Sequence, residues 1–556
     1  MKCLVLPPHR DVTLVPEAPD GWHCVDVARD FYRRVFAADE VEAAAKKRED
    51  SPATAQSMRE LLLLRSAQSL WAREGSSRHT ALRAQGAVLT AISGPPCGVH
   101  LRLDDVALDG GTTERSVDVL RAMDLPAAYA DDLTRAVEQL AGAEHVRLWL
   151  ERDLQLPAAA WLARACPAQV PLEVAGPFAA QHREVLARLP VFQRAVFVDA
   201  APLRWRVTTD VRSHEPSRLV WIPEGLQLQR GGRDRGLPAD SHDGASGGLP
   251  RGDRGGRGPA DPVHGAPGTF VPEAVRGFTG GDRWAGHVSL ESLLHPDALV
   301  DSGCEVAIVG FCAFSDASWL DPLGGRVAHA SLAQGTRRLR DAGVRVVAEW
   351  WLGAPGVDEA ALDATFDALD REPWFDHVAG VRPFHWTRAP AGAERPFLWR
   401  DVRLGAPPED RDLARSLPFE HARAIPESRL PQVLTGLANR LLARAPLSPG
   451  RVAAACLPDG TPTWNADARP RAIVLDADCA LVQLPASLDG APRPSWYATN
   501  LRTGGVLAMD ARLAPALSRL TRPREVASVL GAVPEAQREK LVDTLVARAV
   551  LMRVNG

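Results

Sequence analysis

No two of the eight cysteines stand as Cys-x2-Cys. They are scattered at positions 3, 24, 97, 166, 304, 312, 456 and 479, so neither a zinc knuckle nor a local iron–sulfur triad is encoded, and no metal site is expected. Buried, reduced thiols are the ordinary fate of such residues. Cys304 and Cys312 flank one strand-like run, too far apart along an extended segment to be bridged without distortion. No apolar run approaches the ~20 residues that span a bilayer. The start, MKCLVLPPHRD, is broken by Pro7-Pro8 too soon for a signal peptide, so a cytoplasmic protein is expected. A formal net charge of -4 predicts no general affinity for nucleic acid or for anionic membranes. Ser/His/Asp sets, paired-carboxylate signatures and Walker loops are missing too.

What is present is a chain of 556 residues, enough for three or four domains, with 46% hydrophobic and 24% charged residues, the balance of a soluble globular protein. Its clearest stretch runs from Leu293 to Trp386. Residues 305–314 are nearly continuously apolar, which suits a strand buried on both faces. A helical pattern over 331–341 ends at Gly343, where a helix C-cap belongs. Residues 344–352 read as a second buried strand, 359–369 as a helix and 378–384 as a third strand. Strands and helices alternating over short connections predict a parallel α/β unit.

This order resembles the second half of a radical S-adenosylmethionine (SAM) barrel, and most of all its cobalamin-binding subgroup. Gly303, Gly310, Gly343, Gly353, Pro355 and Gly356 fall on that pattern. The resemblance implies a partial TIM-type barrel and puts Gly310, Cys312 and Gly353 against SAM. The family's ribose-contacting Glu falls here on Cys312 and its neighbouring Ser on Ala313, and its Cys-x3-Cys-x2-Cys motif is missing. An iron–sulfur cluster is therefore not expected. SAM and cobalamin stand as candidate cofactors by resemblance alone.

Earlier in the chain, residues 1–6 suit a first strand, and Leu61, Leu62, Leu63, Leu64, Ala67, Leu70 and Trp71 mark a core helix over 58–71. Strand-like runs at 145–150, 170–174 and 195–198 alternate with helical patterns at 158–165 and 182–189. The text VPLEVAGPFAAQHREVLARLPVFQRAVFVD resembles the end of a Rossmann-like cobalamin-binding domain, although Asp-x-His-x-x-Gly is missing. His23 and His100 are lone histidines, more simply structural than ligating. Two further strands are expected at 203–208 and 219–222. Residues 231–268 are packed with Gly, Pro, Asp and Arg without an apolar period, the composition of a disordered linker. That linker lies where the family carries its cluster loop, which implies an eroded first half of the barrel.

Beyond a helix expected at 430–445, residues 471–484 look like a hairpin turning at Asp476-Ala477-Asp478, with a third strand at 495–500. Helical patterns follow at 511–520, 523–530 and 535–549. The text from "N-x-x-T-G-G-V-L-x-M-D" to "LVDTLVARAVL" resembles PqqD-like peptide-recognition domains, small α+β winged-helix modules that hold the leader of a ribosomally made, modified peptide. The resemblance implies strand addition. The expected edge is the strand at 496–500, with Tyr497 as aromatic anchor and with Leu541, Leu545 and Arg548 along one face of the last helix.

The domains expected are 1–205 (cobalamin-binding-like), 206–284 (eroded segment), 285–450 (partial barrel) and 466–556 (PqqD-like). Candidate catalytic residues are Glu349, a carboxylate on a buried strand, and His385, at the end of the next one. Two functions stay open. One is a precursor-peptide-binding protein that works with a partner tailoring enzyme. The other is a tailoring enzyme that uses the remodelled cavity without a cluster. Missing thiolates favour the first for any radical step.

Overall fold

The computed structural model describes residues 1–51, 54–73, 77–209, 218–222, 272–322, 325–371, 374–387, 402–406, 410–425, 427–430, 432–433, 448–457, 472–486 and 494–554. The linker expected at 231–268 and most of the helix expected at 430–445 lie outside these residues. The chain begins with β1 (Lys2–Leu6), β2 (Leu14–Glu17) and β3 (Trp22–Asp26). A helical pair follows, α1 (Ala55–Trp71) and α2 (Arg78–Ile92), and then β4 (His145–Trp149), β5 (Leu172–Ala175), β6 (Val196–Phe197), β7 (Arg204–Val207) and β8 (Val220–Ile222). Next come β9 (Trp284–Val288), β10 (Cys304–Phe311), α3 (His329–Asp341), β11 (Arg345–Leu352), α4 (Glu359–Arg371) and β12 (His377–Pro383). The last part holds α5 (Pro449–Cys456), β13 (Ala472–Leu475), β14 (Cys479–Leu484), β15 (Ser495–Asn500), β16 (Gly505–Met509), β17 (Arg524–Glu525), α6 (Glu535–Ala547) and β18 (Leu551–Val554).

The fold is mixed α/β with two parallel-rich sheets. The first has the order β3-β1-β4-β5-β6, parallel throughout. Numbered by their own succession, these strands lie 2-1-3-4-5, a doubly wound order that reverses between β1 and β4. Its core includes Leu61, Leu64, Ala67 and Leu70 of α1. Thr54 starts that helix by accepting from the Ser57 N–H at 3.0 Å, and Ser57 returns the bond to the Thr54 N–H at 2.9 Å.

The second sheet has the order β12-β11-β10-β9-β8-β7-β2. Its strands β8 to β12 are parallel and neighbour one another in chain order, while β7 runs antiparallel to both β8 and β2. Wound in one direction, the crossovers put their helices on one face. Leu332 and Leu339 of α3 and Leu362 and Phe366 of α4 pack there with Ala307, Val309 and Trp350. After α3, Gly343 takes φ +84, the left-handed turn that glycine makes without penalty. The described strands leave the sheet open between β12 and β2 where a barrel would close. Although β2 lies in the segment expected as the first domain, it pairs with β7 and ties the two sheets together.

The hairpin expected at 471–484 is corrected. Strand β13 pairs with β17 and β18, whereas β14 joins β15 and β16 in another sheet. The acidic corner between them is held open by long-range partners. Asp476 accepts from Asn500 Nδ2 at 3.0 Å, and Arg502 donates to Asp476 at 2.7 Å and to Asp478 at 3.2 Å. Arg73, in the first unit (the first sheet with the helices packed on it, α1 and α2 among them), donates to the carbonyls of Asp476 and Ala477, each at 3.2 Å.

Candidate functional site

In a doubly wound sheet, ligands bind beyond the carboxyl ends of the strands at the point where the order reverses. Here that point is lined by Pro7 to Asp11 after β1 and by Glu151 and Arg152 after β4. Strand β1 is wholly apolar from Cys3 to Leu6, so it is buried and delivers the polar run His9-Arg10-Asp11 to the sheet's rim. His9 holds φ +70, uncommon for a residue with a side chain. Its ring lies edge-on to Tyr129, with centroids 5.3 Å apart, and burial pushes the imidazole down to about 3. Arg10 is buried; its Nε donates to Asp26 at 3.1 Å and its Nη1 to the Asp11 carbonyl at 2.7 Å. Burial raises the Glu151 carboxyl, against the pull of Arg10 and Arg152.

The start of α5 covers this rim. Asp11 Oδ2 accepts from the Arg451 N–H at 3.0 Å and from the Ser448 hydroxyl at 2.5 Å. Asp104 accepts from the Ser448 N–H at 2.9 Å and from Arg451 Nε at 3.0 Å. Burial alone would raise the Asp104 carboxyl, but the guanidiniums of Arg451 and Arg152 hold it below the ordinary value. An opening of about 10 Å³ remains among His9, Arg10, Asp11, Asp104 and Arg152, room for about one water.

The second surface is the sheet face away from α3 and α4. Glu349, 1% exposed, accepts from Arg382 Nη2 at 2.7 Å through Oε1, and its Oε2 lies 3.3 Å from His287 Nε2. Three strands build this cluster, β9, β11 and β12. Glu349 stands opposite Gly310 of β10, which places no side chain between it and His287. The imidazole, itself 1% exposed, packs edge-on to Trp221 at 6.0 Å. A buried carboxylate between an imidazole and a guanidinium can hold a proton-transferring pair in place, and it can equally serve as a structural ion pair. In the sequence His287 is marked only by being the lone polar residue in the apolar run Trp284–Val288, too short a stretch to show a strand period.

The ring of His385, the other catalytic candidate, lies tilted by 38° against Trp351 with centroids 5.3 Å apart, and Arg382 lies over the same indole at 5.4 Å. The residues placed against SAM by resemblance do not fit a ligand. A side chain at Gly310 would meet Pro322 Cγ at 2.8 Å and Trp351 Nε1 at 3.0 Å. At Gly353 it would meet Leu430 Cδ2 at 2.8 Å. Cys312 is fully buried, burial pushes its thiol well up, and its carbonyl accepts from Trp350 Nε1 at 2.9 Å. The strand ends that would approach SAM are packed by the chain's own side chains. The rim that would approach cobalamin is covered by α5.

The expected peptide groove is also corrected. Strand β15 is the middle of its sheet, paired with β14 on one side and β16 on the other, so 496–500 has no free edge. Tyr497 packs against the core of the first unit, and Leu545 is buried in the core of the last. Leu541 is partly buried against that core and Arg548 is exposed, so the three helix positions do not line one groove. Among the described residues the edges of this sheet are β14, whose Ala480, Val482 and Leu484 sit in the core around the first sheet, and β16, where Val506 is 56% exposed.

No family model matches this chain, and no curated protein matches it. The solved structures with a weak likeness include two of the radical S-adenosylmethionine methyltransferase TsrM from Kitasatospora setae. The form with cobalamin and a 4Fe-4S cluster bound is 18% identical over 19% of this chain and 21% of that chain, with a TM-score of 0.16. The form with tryptophan substrate and the SAM analogue aza-SAM bound is 13% identical over 47% of this chain and 67% of that chain, with a TM-score of 0.27.

Proposed function

We propose that this protein binds the leader of a ribosomally made precursor peptide as an added strand on β16, and presents the precursor to a partner tailoring enzyme. The observation that carries this reading is the outer edge of β16, which pairs with β15 alone among the described residues. An exposed edge offers a row of main-chain donors and acceptors, and side chains beside it supply selectivity. Arg512, Arg519, Arg522 and Arg524 are exposed on the segment that follows, which suits a leader with acidic residues. On this reading the five parallel strands β8 to β12 are a partial barrel, the first sheet is a cobalamin-domain-like relic, and the last unit is a winged-helix-like module. The missing Cys-x3-Cys-x2-Cys motif supports a role without radical chemistry.

The test is a fluorescence anisotropy titration of the full chain against the leader of a precursor encoded beside it. Saturable binding is expected, weakened about tenfold by Arg522→Glu combined with Val506→Asp, as like charge at an interface costs affinity. Failure to bind at tens of micromolar, or binding unmoved by these changes, refutes the reading. A second reading, a tailoring enzyme without a cluster, is favoured by the buried His287–Glu349–Arg382 cluster alone. It requires a mass change in the precursor when it is incubated with this chain, lost in Glu349→Gln.

A further inference from the structure

We propose that α5 is a built-in occupant of the ligand space between the two sheets, so that this protein binds neither SAM nor cobalamin there. The proposal is independent of peptide binding. Two surfaces face each other in this fold: the reversal point of the first sheet, where doubly wound folds bind ligands, and the face of the second sheet away from α3 and α4. Helix α5 lies between them and is bonded to the first while packed on the second. Val452, Ala453, Ala454 and Cys456 share one buried cluster with Leu4, Leu6 and Trp149 from the first sheet, and with Trp221, Ala285, Val306, Ile308 and Val347 from the second.

Both ends of α5 are closed by the first unit. An N-cap side chain ordinarily takes the N–H of the third helical residue. Here Asp11, remote in sequence, takes that N–H from Arg451, and Ser448, in the cap position, donates to the same carboxylate. At the other end, Arg78 Nη1 donates to the carbonyls of Ala454 at 3.2 Å and Leu457 at 2.6 Å, which a short helix otherwise leaves to water. The fit is close. A side chain at Gly450 would meet Asp11 Oδ2 at 2.5 Å and Leu14 Cγ at 2.6 Å. The rim carboxylates Asp11 and Asp104 are taken up by the N-terminus of α5 and by Arg451, so they are already paired within the chain. A ligand at this rim would have to displace α5 and break its bonds to Asp11 and Asp104.

Hydrogen exchange on the full chain tests this, read by mass spectrometry with and without millimolar SAM or hydroxocobalamin. Residues 448–457 are expected to exchange as slowly as β1, and neither cofactor should change them or residues 7–11 and 304–312. Gly450→Val should speed exchange in 448–457, 9–11 and 102–105 together, by about tenfold or more as buried charge-assisted bonds are lost. If that variant does not fold, Arg451→Lys, which keeps the charge and loses the guanidinium's second bond, should show the same three segments moving. Rapid exchange of 448–457 in the unaltered protein overturns the proposal. So does protection of 7–11 or 304–312 by either cofactor.

Discussion

Arg451 and Asp104 meet at 3.0 Å across 347 residues of sequence, and the guanidinium is fully buried. Its Nη2 also donates to the Leu103 carbonyl at 3.0 Å, and its charge lies over the Tyr32 ring at 5.8 Å. One side chain thereby fixes α5 to the first unit at a point remote from the helix's own neighbours in sequence.

Breaking that pair should be costly. Arg451→Ala is expected to lose about 3–5 kcal/mol, the range for stranding one charge of a buried pair. Urea unfolding supplies the number. Asp104→Ala added to it should cost at least about 1 kcal/mol less than the sum of the single losses, because the two groups share one interaction. Strict additivity would show that the pair does not hold α5.

Stability should fall on acidification below neutrality. His9 is held to about 3 in the folded state against an ordinary 6.5, so the unfolded chain binds more protons between those values. Stability is then full above 6.5 and declines as pH drops toward 3, by about 2 kcal/mol at pH 5. Asp104, held below its ordinary range, adds a loss at still lower pH as it is protonated. In His9→Asn, a residue that tolerates the left-handed backbone, the decline between pH 6.5 and 5 should shrink. Equal slopes in both proteins would remove His9 from the account.

Residues 466–556 should not fold alone. Ala480, Val482 and Leu484 of β14 belong to the core of the first unit, and Ser66 and Arg73 of α1 and the turn after it bond to Thr499 and to the carbonyl of Cys479. Circular dichroism of the fragment is expected to show an unfolded chain. In the full protein, Val482→Asp should cost about 3 kcal/mol or more through an unpaired buried charge. A cooperative melt of the isolated fragment contradicts this.

The two candidate catalytic residues should separate by stability. Glu349→Ala leaves His287 and Arg382 facing a cavity and should cost about 3 kcal/mol or more. His385→Ala removes a half-buried ring contact with Trp351 and should cost about 1 kcal/mol. Similar losses from both would mean that Glu349 is not the centre of a buried cluster.

Anaerobic reconstitution with iron and sulfide should yield no four-iron cluster. The thiols of Cys3, Cys24, Cys97, Cys166, Cys304, Cys312 and Cys479 are all pushed up by burial, which opposes the thiolate that a cluster requires. Iron and sulfide near four per chain with visible absorbance would refute it.

Much of the backbone was legible. The strand–helix alternation over 304–383 and 145–197 matches the structure within a few residues, because buried parallel strands are apolar runs and their helices carry a regular stripe. The helix α5 was not legible. It is eight residues long, and its caps come from Asp11, Asp104 and Arg78 rather than from its own ends. The corner at Asp476-Ala477-Asp478 was hidden for the same reason, since Arg73, Asn500 and Arg502 decide where it turns.

By itself the sequence determined the mixed α/β character, the parallel run from β10 to β12 and the lack of a cluster motif, all of which reside in residue type and short-range spacing. Only the tertiary structure decided that, among the described residues, β16 is an edge strand and β15 is not, that His287 joins Glu349, and that α5 fills the cleft between the sheets. The physical reason is range. Periodicity records which face of an element is apolar, but it carries no record of which distant element covers that face. The partners that cap, pair and fill are chosen by side chains that come within 3 Å of each other only after the whole chain has folded.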